Sequence, residues 1–120
     1  MADYSKVYAV FVTYAAEPTQ ANYNELWVVC WQRMRALCCV RYGPGSDPED
    51  IDDIINTATI KVLSKFQAIQ NWTEETISSM FYWSLRNTAG PYFRKKMRRK
   101  MIMTKYLGDI EHAAKILLKK

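Results

Sequence analysis

The sequence predicts an all-α protein, a small bundle of about five to six helices. Apolar residues recur at three- and four-residue steps through most of the chain, which is the helical period. Only 4 Gly and 4 Pro punctuate 120 residues, fewer than a many-turned β-sandwich needs. Apolar residues make up 49% and charged residues 24%, the composition of a chain that buries a core. The length suits one domain. The expected organisation is an N-terminal extension over 1–20, a main helical bundle over 21–107 and an amphipathic C-terminal helix over 108–120.

Residues 4–15 are apolar and β-branched, so helix and strand both fit; the helical setting favours a short helix, ended by Pro18. The second helix is expected from about Asn22 to Tyr42. Its stripe is Tyr23, Leu26, Trp27, Cys30, Met34, Leu37, Cys38 and Arg41, widened by Trp31. Gly43-Pro44-Gly45-Ser46 is a turn. Ser46 or Asp47 caps a third helix that has Pro48 in its first turn and acids where the helix dipole favours them. It should run to Phe66 and bury Ile51, Ile54, Ile55, Ala58, Val62, Leu63 and Phe66. After a polar stretch from Gln67 to Asn71, Thr73 caps a fourth helix reaching Ala89. Its core face is Ile77, Met80, Phe81 and Leu85, with part of Trp83. Gly90-Pro91 predicts a kink or a break, because proline lacks an N–H and crowds the carbonyl of Asn87. A fifth helix is expected from Pro91 to Gly108. Asp109 then caps a last one, with Ile110, Ala113, Ala114, Leu117 and Leu118 on the side expected to pack on the bundle or dock a partner.

Several functions are excluded. No apolar run approaches 18 residues, so no membrane association is expected. No basic leader, apolar stretch and cleavage site occur in order at the N-terminus, so secretion is not expected. Three cysteines, Cys30, Cys38 and Cys39, are an odd number confined to one helix, which argues against a disulfide framework. Adjacent Cys38 and Cys39 point to different sides and read as small core residues. There is no Walker loop, dinucleotide fingerprint or metal-ligand spacing, and His112 has no paired acid or thiol. The acids around Asp50 lack the glycine and terminal glutamate of a calcium loop. No enzymatic role, cofactor or metal is expected.

Charge is the informative feature. Residues 1–93 carry 7 basic and 10 acidic side chains, whereas 94–120 carry 10 basic and 2 acidic. Arg94, Lys95, Lys96, Arg98, Arg99 and Lys100 form a run broken only by Met97; Asp47, Glu49, Asp50, Asp52 and Asp53 form the opposite pole. Such a chain suits partners of opposite sign. The basic run reads as a polyanion surface or as a solvated helix end. Tyr82, Trp83, Tyr92 and Phe93 flank Arg86, Asn87 and the run. Single-stranded nucleic acid needs cations for phosphates and flat side chains for bases, and an amide can read base edges. Some of these aromatics must also serve the core.

Asp52-Asp53-Ile54-Ile55-Asn56-Thr57-Ala58-Thr59-Ile60-Lys61-Val62-Leu63-Ser64-Lys65-Phe66 resembles the polymerase-binding helix of bacterial sigma factors, above all the extracytoplasmic-function group. Met80 to Ala89 resembles the family's promoter-melting segment, where aromatics precede an Asn. Tyr92 to Lys100 resembles the basic end of its −10-reading helix, and Asn22 to Gly43 its first helix. Asn56-Thr57 stands where the family carries Gln-Glu, Thr59 where it carries an aromatic, and Met80 where it carries Trp. The resemblance covers about 22–100 and implies a sigma domain-2-like bundle. It leaves no room for the family's −35-reading helix-turn-helix. A stand-alone domain is therefore implied, phage-encoded or half of a split sigma factor, working in the bacterial cytosol or nucleoid or a phage-infected cell, with a second protein supplying −35 contacts.

By that resemblance, Asp50, Asp52, Asp53, Asn56 and Lys61 would dock on the clamp coiled coil of the RNA polymerase core. Tyr82, Trp83, Arg86, Asn87, Tyr92, Arg94, Lys95, Lys96, Arg98, Arg99 and Lys100 would hold the non-template strand of a −10-like promoter element. Two other expectations stand beside it: a polymerase-binding inhibitor that occupies the sigma site, and a generic basic helical nucleic-acid binder.

Overall fold

The structure is a computed structural model that describes residues 3–66, 68 and 73–118. Within these residues it has four helices and no strand: α1 Ser5–Ala16, α2 Gln20–Tyr42, α3 Pro48–Phe66 and α4 Glu74–Leu118. The chain forms two compact units, one ending at Ala89 and one starting at Gly90.

In the first unit, α1 packs on α2 and α2 on α3. The β-branched first segment is a helix because its apolar face is wanted elsewhere: Tyr4, Val7 and Phe11, at helical spacing, are buried. The Tyr4 ring meets Phe81 edge-on at 5.3 Å, and Phe11 stacks on Phe66 at 4.3 Å. The segment expected as an extension thus contributes to the core. Asp3 accepts from the Ser5 N–H at 2.9 Å. Hydrogen bonds from the Ser5 side chain and backbone hold the Asp3 carboxyl below its ordinary range.

Helix α2 begins at Gln20, two residues before the expected Asn22, because the Thr19 hydroxyl accepts from the Asn22 N–H at 3.2 Å and caps it. Leu26, Cys30, Met34 and Cys38 line its buried face at four-residue steps, with Val29 beside them. Tyr23 and Arg41, expected on that stripe, are exposed, and Cys39 is exposed rather than core because it lies about 100° round the helix from Cys38. The turn after α2 places Gly45 at φ 78°, a left-handed conformation that favours glycine. Asp47 caps α3 as expected; its carbonyl accepts from Ile51 N–H at 3.2 Å, and Pro48 opens the helix. Ile51, Ile54, Ile55, Ala58, Val62 and Phe66 are buried, and Leu63 is half-buried. Thr59 is also fully buried; its hydroxyl donates to the Ile55 carbonyl at 2.7 Å, which satisfies it. The expected polar stretch from Gln67 to Asn71 lies outside the described residues apart from Ala68.

Thr73 caps α4 by accepting from the Thr76 N–H at 3.1 Å. Ile77, Met80, Phe81, Ser84, Leu85, Thr88 and Ala89 are buried. Burying a large apolar side chain such as Phe81 or Leu85 stabilises the unit by about 1.5–3 kcal/mol. The described residues form four helices rather than the expected five to six, because neither Gly90-Pro91 nor Gly108 ends α4. The ring of a proline clashes with the Cβ of the residue before it, and Gly90 has none, which removes one obstacle to helical geometry. Gly108 in mid-helix costs about 1 kcal/mol relative to alanine without breaking the backbone hydrogen bonds.

In the second unit, Tyr92 and Phe93 are half-buried and meet edge-on at 5.8 Å. Every residue from Arg94 to Leu118 is exposed, so Ile110, Leu117 and Leu118 lack the burial expected of them.

Candidate functional site

Two surfaces of interest lie in the first unit. On α3, Glu49, Asp52, Asp53, Asn56 and Ile60 are exposed and fall on one side at steps of three and four. The first three are carboxylates within the first two turns; Glu49, with Asp47 before it, lies at the helix N-terminus, where the dipole favours negative charge. Asp50 departs from the expectation: it is buried, because it lies about 100° round the helix from Glu49, at the edge of the arc that carries Ile51 and Ile54 into the core. Lys61 is half-buried. Ile60, which sequence alone does not single out, is 58% exposed. Beside it, Tyr23 and Trp27 of α2 join Ile60, Leu63 and Ser64 around a groove of about 280 Å³. The α3 face therefore offers acids at one end and an apolar groove at the other. Asn56 sits between, its amide oxygen accepting from the Trp31 indole N–H at 2.9 Å. The Arg35 guanidinium lies 5.8 Å from the Trp31 ring.

The second surface is on α4. Trp83 is 50% exposed, Tyr82 is half-buried, and Arg86 and Asn87 are exposed. The two rings meet edge-on at 5.5 Å. Arg86 lies over the Trp83 ring at 5.3 Å, and Arg41, from the last turn of α2, lies over Tyr82 at 4.4 Å. Sequence periodicity assigned Arg41 to the α2 stripe; its pairing with a ring 41 positions away has no local signature. One face of Tyr82 is thus covered by a cation. Trp83 is the more open flat surface, with a guanidinium at its side suited to a phosphate or a base.

The second unit carries Arg94, Lys95, Lys96, Arg98, Arg99 and Lys100, all exposed. Seven residues are nearly two helical turns, so these cations spread over about two thirds of the helix circumference rather than forming one stripe, and Met97 lies on the remaining third. Met97, Lys100, Met101, Thr104 and Lys105 border a shallow apolar depression on this helix.

The remaining reactive side chains have structural surroundings. Burial pushes the Cys30 thiol up to about 12. Burial, with the neighbouring Cys39, pushes Cys38 up to about 11. Both therefore stay protonated and unreactive near neutrality. His112 is exposed. Among the described residues, no group of three or more His, Cys, Asp or Glu could hold a metal ion, and no helix is long and apolar enough to cross a membrane.

Comparison with protein-family models, curated proteins and solved structures finds no match to this chain.

Proposed function

We propose that the chain is a sigma-domain-2-like transcription-initiation protein that binds bacterial RNA polymerase core and single-stranded promoter DNA of a −10-like element. The supporting observation is the α4 cluster: a half-exposed Trp83 flanked by Arg86, Asn87 and the Arg41–Tyr82 pair. Bases stack on Trp83, Asn87 reads a base edge, and Arg41 and Arg86 take phosphates. Binding on this surface offsets the cost of unstacking a few bases, a few kcal/mol each. The run from Arg94 to Lys100 neutralises backbone phosphates. On the other surface, Asp52, Asp53 and Asn56 dock on the clamp coiled coil of the polymerase, and Ile60 with its groove receives an apolar side chain from it.

Run-off transcription with core polymerase and a library of −10-like templates tests this reading. Transcripts that depend on the protein and are lost in Trp83→Leu, a variant that keeps much of the apolar cover, support it. Inhibition of host sigma-dependent transcription with no transcripts of its own favours the inhibitor. Nucleic-acid binding without polymerase affinity favours the generic basic binder.

A further inference from the structure

We infer that Trp31 is a positioning residue for the α3 face: it holds the Asn56 carboxamide so that the amide NH₂ is the arm offered to a partner. This rests on the docking reading of α3 and deepens it by naming what the partner must bring. An indole N–H only donates, so the group 2.9 Å from it must be the amide oxygen, and a flipped Asn56 would set two donors against each other. Arg35 beside the indole braces the ring from the same helix. Trp31 is half-buried and belongs to α2, so the bond also ties Asn56 to a second helix.

The consequence is selectivity. Glu49, Asp52 and Asp53 are exposed acceptors that any polycation satisfies. Asn56, at the centre of the same face, offers donors instead. A matching partner is a basic protein segment that carries one acceptor, a carboxylate or a free carbonyl, among its lysines and arginines. A uniformly cationic surface leaves Asn56 unmatched and binds less tightly.

The test uses the full chain and measures affinity for RNA polymerase core, with melting temperature as control. Trp31→Phe keeps an aromatic ring and removes the donor. Asn56→Asp keeps an acceptor for Trp31, removes the NH₂ and adds a negative charge. The expected result is a loss of about fivefold for Trp31→Phe and for Asn56→Ala. The double variant is no weaker than either single one, because the two residues act as a unit. Asn56→Asp is weakened in spite of its extra charge, and melting temperatures stay near wild type. Wild-type affinity in Trp31→Phe, or tighter binding by Asn56→Asp, overturns the inference.

A second readout needs no polymerase. Slow solvent exchange of the Trp31 indole proton, accelerated in Asn56→Ala, supports the held amide; equal exchange rates overturn it. Failure of the wild-type chain to bind core overturns the docking reading, while the exchange rates still decide whether Asn56 is held.

Discussion

Replacing Trp83 separates stacking from charge. A fully covered tryptophan buries on the order of 150–250 Å², so a side chain 50% exposed hides roughly 100 Å². At 25 cal/mol per Å² that is about 2.5 kcal/mol of stability. Loss of the Arg86 contact and of the edge-on contact with Tyr82 adds about 1 kcal/mol. Trp83→Ala is therefore expected to destabilise the first unit by roughly 3.5 kcal/mol, whereas Trp83→Leu keeps much of the apolar cover and loses the flat ring. Stacking one base on an aromatic is worth about 1–3 kcal/mol, so Trp83→Leu should weaken binding to a single-stranded oligonucleotide by roughly fivefold to 150-fold. Fluorescence anisotropy of a labelled oligonucleotide measures this, with circular dichroism confirming that the variant is folded. The slope of log affinity against log salt should not change, because no charge is removed. Wild-type affinity in Trp83→Leu, with charge variants weakened, would refute the reasoning: the ring would then be a surface accident and the binding purely ionic.

Other outcomes follow from the same geometry. Six phosphate contacts by the basic run give a salt slope of roughly −4 to −5, and neutralising Arg98, Arg99 and Lys100 to glutamine should reduce it by about 2 to 3, read in the same titration. Phe11→Ala removes the ring stacked on Phe66 and should cost about 3–5 kcal/mol, seen as a lowered urea midpoint; an unchanged midpoint would return α1 to the status of an appendage. Near pH 8 a thiol reagent should label one cysteine, the exposed Cys39, and leave Cys30 and Cys38 untouched until the chain unfolds. The folded-state values of those two thiols are raised from 9.0, so their contribution to stability is complete below pH 9 and is lost as pH climbs toward 11 and 12. Urea midpoints between pH 8 and 10.5 check the sign, and a rise with pH would contradict it.

Much of the fold was legible because its signals are local. The caps at Asp47 and Thr73 need only three neighbouring residues to be recognised, and the α3 stripe from Ile51 to Phe66 follows from period alone. The turn at Gly43 to Ser46 was equally plain. What escaped the sequence is what the chain settles at a distance. Residues 4–15 suited helix and strand until Tyr4 found Phe81 and Phe11 found Phe66. Gly90 and Pro91 each disfavour a helix by their own preference, whereas together the glycine relieves the clash that proline imposes on its neighbour.

At the candidate surfaces, residue types were visible but partners were not. Arg41 resting on Tyr82 joins α2 to α4, and Trp31 bonding to Asn56 joins α2 to α3. Asp50, grouped with the surface acids by its position in the run, is turned inward by helical geometry.

The central claim is that the exposed acids of α3 dock the chain on polymerase. Affinity of the purified protein for RNA polymerase core, compared between wild type and the charge-swapped pair Asp52→Lys and Asp53→Lys, tests it most directly. Both positions are exposed, and circular dichroism checks that the swapped chain is folded. Wild type should bind measurably and the swap should lose at least about 100-fold, since like charges across an interface cost several kcal/mol. Undiminished binding by the swapped chain, or no binding by wild type, would contradict it.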